Sequence, residues 1–308
     1  MPTFLRDAAL IARHEARRTL ASVRALALLA LFVLFSALVA LGTAAAARGI
    51  SSAVDEQIAQ GRPDATAEER AQLRVQLDAE FHARRNEVLA VWFSGDPALL
   101  DAVKDVPVFL LVLFKLSLLF LPAYVALLGY DAVSAELASR GLRYVVIRTA
   151  RGAVLLGKFA GLAAVLLALV AGTQGLVIAW ATATEPGFGA GAALVTWARF
   201  SLSGLTYGAA WLALTLLCST LFRVPMVCLA VNGMTLFGLW LADLLGSVSA
   251  GGGDPGLLSL LRSASPTHYA GDLLHPALAR FGASALACLG FAAVLLAAGA
   301  SLLRTRDV

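Results

Sequence analysis

Of 308 residues, 59% are apolar and only 14% charged, and the mean hydropathy is +0.81. No water-soluble domain covers that much apolar surface, so a soluble enzyme and a free nucleic-acid binder are both excluded. The net charge of +4 does not argue for nucleic acid, because the cations cluster beside the ends of apolar runs, where anionic lipid headgroups account for them.

In chain order, residues 3–24 come first. Leu5, Ala8, Ala9, Ala12, Ala16, Leu20 and Val23 recur at near-helical spacing, with Arg6, Arg13, Arg17 and Arg18 elsewhere on the wheel. This pattern fits an interfacial helix on the inner leaflet, or equally a plain basic anchor. A bilayer core of about 30 Å needs about 20 apolar residues per helix. Six runs meet that length: 25–47, 108–130, 155–182, 197–222, 224–245 and 281–303. None alternates in the manner of a barrel strand, so the expected fold is an all-α, polytopic membrane protein forming one permease-like domain over 1–308. The first run is longer than the apolar region of a secretory signal, and it reads as a retained anchor.

Between the first two spans, 48–106 is the longest polar segment. Gly61 and Pro63 interrupt a short helical pattern around 50–60, and Thr66 with Glu69 then opens a capping-box pattern. Leu73, Leu77, Phe81, Val88 and Trp92 share one face of a helix expected over 66–93. That face packs on its own chain, on a second copy or on a periplasmic partner. Pro122 is expected to kink the second span. The loop 131–154 follows, and it carries Asp131, Glu136, Arg140, Arg143, Arg148 and Arg151. The outer loop 246–280 opens on Gly251, Gly252, Gly253, Asp254 and Pro255. It then offers two apolar pieces too short to cross, suited to re-entrant helices.

Charge divides by side. With an inner amino terminus, the inner segments total +8, while 48–105 sets seven cations against eleven acids. The positive-inside bias therefore places both termini and the loop 131–154 in the cytoplasm of a bacterial inner-membrane protein.

Site chemistry is sparse. Gly152, Gly157 and Lys158 approach a phosphate-binding loop, but Phe159 replaces the magnesium-holding hydroxyl and the run enters a membrane helix, so ATP is not expected to bind this chain. His14, His82, His268 and His275 are scattered over three segments without a metal-ligand set. Cys218, Cys228 and Cys288 lie in or beside spans and pack as small hydrophobes. No catalytic residue, bound cofactor or metal is expected. Lys115 lies inside a span, where an ammonium must snorkel, pair with Asp243 or face a cavity for anionic cargo. Gln174, Asn232, Thr206 and Tyr207 are further polar points within spans, and interhelical hydrogen bonding accounts for them as readily as ligand contact does.

Three stretches together resemble the type-2 ATP-binding cassette (ABC) exporter permeases. They are ARHEARRTLASVRALALL, then YDAVSAELASRGLRYVVIRTARGAVLLGK, then SPTHYAGDLLHP before the last span. Glu136, Gly141 with Leu142, Arg151, and Gly157 with Lys158 match the family's loop, whereas Thr149 and Ala150 stand where its proline does. The resemblance implies a half-transporter without its own ATPase, with ATP and magnesium bound on a cytoplasmic ATPase subunit and a second permease copy completing the path. It also implies a coupling helix within 132–148. The long outer segment is similar to that of the branch associated with copper-enzyme maturation. Two other classes stay open: a secondary transporter with a midplane site at Lys115, Gln174 and Asn232, and a membrane scaffold acting on partners through 66–93.

Overall fold

A computed structural model of the chain describes residues 2–61, 96–141, 149–185, 187–249 and 262–305, with isolated positions between 61 and 96. The helix expected over 66–93 and the side chains of Arg143 and Arg148 lie outside the described residues.

The described residues form helices and no strands: α1 (Pro2–Leu20), α2 (Val23–Gly61), α3 (Pro97–Val103), α4 (Val108–Gly129), α5 (Ser134–Ala138), α6 (Arg151–Thr184), α7 (Ala190–Leu221), α8 (Pro225–Ser249), α9 (Pro266–Tyr269) and α10 (Leu278–Thr305). Six of them, α2, α4, α6, α7, α8 and α10, include stretches long and apolar enough to cross a bilayer. The chain is thus an all-α, multi-pass membrane protein.

The helix at 50–60 is not separate. α2 continues unbroken from the first span to Gly61, and at 1.5 Å per residue it reaches well beyond a bilayer core. Alanine-rich sequence from Ala44 to Ala47 gives the chain no reason to stop at the interface. Pro122 sits inside α4 without ending it.

The bundle is organised around α7, whose most apolar window is 83% buried, against 11% for α8. Small residues on α7 admit close neighbours. A Cβ on Gly208 would meet the Leu166 side chain of α6 at 2.6 Å, and one on Gly204 would meet Val170 at 3.0 Å. Phe200 stacks on Phe114 of α4 with centroids 4.2 Å apart, and the Trp197 indole N–H donates to Ala171 O at 2.8 Å. These contacts fix the register of α4, α6 and α7. α8 is attached more lightly, through the Asn232 amide donating to Thr215 Oγ1 at 3.0 Å and through Asp243 paired with Arg262 Nε at 3.2 Å.

α1 runs alongside α6 and in the same direction. Phe4 lies by Gly152, Ala8 and Ile11 by Gly157, and Ala12 and Glu15 by Gly161. Half of the apolar stripe expected to rest on the leaflet, Ala8 and Ala12 in particular, therefore faces span three. The physical reason is the missing Cβ atoms at Gly157 and Gly161, which let the α1 backbone approach more closely than any side chain would allow. Leu5, Leu10 and Leu20 remain exposed.

Six crossings put α1, residues 131–141 and 149–150, the turn before α8 and the end of α10 at one end of the bundle, here called the basic end. Residues 96–107, 185, 187–189 and 262–277 lie at the other. There Asp96 caps α3 by accepting from Ala98 N at 3.0 Å, pairs with Arg280 at the start of α10 and faces His275 Nε2 at 3.2 Å. His275 Nδ1 accepts from Ala277 N at 3.0 Å, and its Nε2 also lies 3.2 Å from the Arg280 guanidinium.

Candidate functional site: the anchored turn at the basic end

α5 has only five residues, far fewer than an isolated helix needs for stability in water. Tertiary contacts therefore set its position. No side chain of its own caps its first turn. Instead Ser219 Oγ, from the end of α7, accepts from both Val133 N and Ser134 N at 3.0 Å. That supplies an amino-terminal cap from another span. Val133, Ser134 and Leu137 are buried beneath it.

Charge fixes the other two sides. Before α5, Asp131 pairs with Arg24 of α2 at 2.8 Å, and the Arg24 guanidinium also lies 4.8 Å from the centre of the Tyr130 ring. Within α5, Glu136 Oε1 accepts from Lys158 Nζ of α6 at 2.6 Å. Lys158 also donates to Glu15 Oε2 of α1 at 3.1 Å, and Arg18 approaches Glu136 at 3.5 Å. One ammonium thus joins three helices. The side chains of Lys158 and Glu15 are 3% and 6% exposed, Glu136 is 22% exposed and Arg18 is 50% exposed. Removing one partner from a buried pair costs about 3–5 kcal/mol, because the survivor is left charged and unsolvated. For the exposed Arg18 contact, at most about 1 kcal/mol applies.

Beyond α5 the chain turns outward. Ala138, Ser139 and Arg140 are exposed, and Arg140 adopts the left-handed conformation, with φ 57°. This is the position after a helix end that usually falls to glycine, and a side chain there costs about 1–2 kcal/mol. Gly141 follows it. The anchored turn therefore presents a strained, exposed arginine at the outermost point of a rigid element.

The residues singled out from sequence separate into groups. Asp131 and Glu136 are internal struts, and Arg140 is the exposed tip. Arg151 turns inward to the last helix, where its guanidinium donates to Leu303 O at 2.5 Å and Arg304 O at 2.8 Å. Gly157 and Lys158 sit within helix α6, one admitting α1 and the other holding its carboxylate. Glu15 was not singled out from sequence. Its position three residues after Ala12, on the buried face of α1, was the available signal, together with the Gly157 to Gly161 spacing opposite.

The polar points within the spans do not converge. Gln174 is buried in α6, where Gly175 touches Trp197, at the level of the stacked Phe114 and Phe200 and hence of Lys115. Asn232 instead pairs with Thr215, whose methyl lies 3.2 Å from where a Cβ on Gly129 would stand. From Lys115 to Gly129 is about 21 Å along α4 at 1.5 Å per residue. Asp243, the partner considered for Lys115, is engaged by Arg262. A turn braced at one end of the bundle by a cap from α7 and ion pairs from α2 and α6 is suited to bearing load.

A family model described as ABC-2 family transporter protein matches residues 9–308. The chain belongs to the ABC-2 transporter family. No curated protein matches it. As an ABC-2 family member it is a membrane transport component, and the match runs through α1, the anchored turn and all six crossings.

Proposed function

We propose that the chain is the permease subunit of an ABC exporter in the bacterial inner membrane, with the basic end in the cytoplasm. A separate ATPase carries ATP and magnesium and grips the turn at Ala138 to Arg140. Two permease copies enclose the path. The observation that carries this reading is the anchoring of α5: a five-residue helix held by α1, α2, α6 and α7 and ending in an exposed arginine is an input point for force. Work on a membrane bundle needs a stiff element that converts ATPase closure into span movement. The charge balance of the loops supports the orientation.

The secondary-transporter reading is less well supported, since it needs Lys115 and Asn232 in one site and the two differ in level by about 21 Å. An outward role for 66–93 toward a periplasmic partner is compatible with the permease reading and adds to it.

Affinity purification of the tagged chain, co-expressed with a candidate Walker-type ATPase, provides the test. A stable complex that hydrolyses ATP is expected. Arg140→Glu is expected to weaken association about tenfold, equivalent to about 1.4 kcal/mol for one charge-assisted contact. Undiminished association of that variant would remove the assigned docking point.

A further inference from the structure

We infer that Lys158 is a positioning residue: through Glu136 it sets the placement of the docking turn, and through Glu15 it makes α1 a second arm of the same lever. The inference rests on the permease reading and adds to it a residue and a route. Movement delivered at Arg140 passes into α1 and α6 together.

Three observations carry it. The first is that a single ammonium bonds carboxylates from two other helices, at 2.6 Å and 3.1 Å. A second is the close seating of α1 on α6, where Cβ atoms at Gly157 and Gly161 would stand 2.7 Å from Ala8 O and 2.6 Å from Ala12 O. α1 therefore cannot slide without first separating. Finally, the two limbs of the node differ in burial. Glu15 and Lys158 are almost fully enclosed, whereas Glu136 is partly exposed and has Arg18 beside it as an alternative partner.

That asymmetry assigns the limbs different tasks. If Glu136 withdraws, Lys158 keeps Glu15, and Glu136 keeps water and Arg18, so no buried charge is stranded. If Glu15 withdraws, a buried carboxylate loses its cation. Both joints hold while load is carried; the contact between α6 and α5 is the one that can open and re-form without stranding a buried charge. The charges facing Lys158 are Glu15 and Arg18 from α1 and Glu136 from α5. Two cations against two carboxylates make the node neutral, so it transmits displacement without drawing in counter-ions.

Two spin labels report on the joint: one at Arg13→Cys on the exposed face of α1, the other at Ser139→Cys on the tip. The three native cysteines are replaced by alanine. In nanodiscs the unmutated node is expected to give one narrow distance distribution, which persists when the ATPase complex turns over. Glu136→Gln is expected to broaden that distribution while leaving membrane insertion intact. It also lowers permease-stimulated ATP hydrolysis about tenfold, within the range usual for coupling between two sites, through kcat and not through KM for ATP. Lys158→Met produces the same broadening, and Lys158→Arg, which keeps the charge and the donors, restores a narrow distribution. A narrow distribution with normal stimulation in both Glu136→Gln and Lys158→Met overturns the inference. Failure of the unmutated chain to bind an ATPase overturns the permease reading instead. The label distances, measured on the chain alone, still decide the joint.

Discussion

Replacing glycine by alanine at four helical positions tests the packing of α1 against α6, because the same chemical change is expected to have opposite signs. In a helix interior, Gly to Ala gains about 1 kcal/mol by restricting the unfolded chain and covering backbone. At Gly42 of α2 and Gly172 of α6 nothing lies within 4 Å of the new methyl, so that gain is expected in full. At Gly157 the methyl would stand 2.7 Å from Ala8 O and 2.8 Å from Ile11 Cβ; at Gly161, 2.6 Å from Ala12 O and 2.9 Å from Glu15 Cβ. Backbone oxygens do not rotate aside, so α1 must lift. Overpacking of this kind costs about 1–3 kcal/mol, and lifting α1 also stretches the buried pair between Glu15 and Lys158. After subtracting the propensity gain, each of the two substitutions is expected to destabilise by up to about 2 kcal/mol, the strained Glu15–Lys158 pair adding to the loss. The double variant departs from additivity because both act on one contact. Reversible unfolding in mixed micelles measures the sign, and tryptic cleavage after the exposed Arg13 and Arg17 reports whether α1 has lifted. If Gly161→Ala stabilises as Gly172→Ala does, on the same helix, α1 is not seated on α6 as described.

Two further outcomes concern the ends of the last span. Arg151→Ala removes the guanidinium that closes the final carbonyls of α10; a loss of about 1–2 kcal/mol is expected, seen as faster amide exchange over 300–305 with membrane insertion unchanged. At the opposite end, desolvation pushes the Asp96 carboxyl upward, but bonds from Ala98 N–H, Arg280 and Leu99 N–H outweigh it and hold the group below its ordinary 3.8. A depressed carboxylate stabilises the fold above its unfolded value and loses that contribution as pH falls through its folded value. The attachment of α3 to α10 is therefore expected to persist down to about pH 4 and to weaken below it. Asp96→Asn should abolish that acid dependence in a cross-linking assay between 96–103 and 275–280, and persistence of the same dependence in the variant would show that another group governs it.

Bilayer physics made most of the fold legible from sequence. Uninterrupted apolar runs specify crossing helices almost regardless of tertiary detail, and alternation of six crossings assigns each loop to an end. Helix ends were less legible. The outward extension of α2 to Gly61 depends on propensity after the apolar run stops, and hydropathy does not report propensity. The site was legible only in outline. Glu136 and Arg140 lie in the basic loop, where sequence pointed, but their tasks differ. Glu136 turns toward α6 and Arg140 away from it, a distinction fixed by a five-residue helix whose rotation comes from Ser219 and Lys158, 85 and 22 residues away. No local pattern encodes that. The role of Lys158 was hidden for the same reason. Beside Gly157 it resembles part of a phosphate loop, whereas its role depends on Glu15, 143 residues earlier in the chain.

The basic end and helix α8 differ in how firmly they are held, and the difference has a mechanical consequence. At the basic end α1, α2, α5, α6 and α10 are tied by ion pairs or charge-assisted bonds, of which Lys158 to Glu15 is buried, and α7 joins through the Ser219 cap. α8 has only 11% of its apolar window buried, and its polar ties include Asn232 to Thr215 and Asp243 to Arg262. Hydrogen bonds between membrane helices average about 0.6 kcal/mol, well below the about 3–5 kcal/mol at stake when a buried ion pair loses a member. A load applied at Arg140 therefore meets a block that moves as one, and relative displacement is taken up where resistance is least, between that block and α8. Stiff input and compliant output together turn a push at one end into a change of shape, and a uniformly rigid or uniformly loose bundle would lack one or the other.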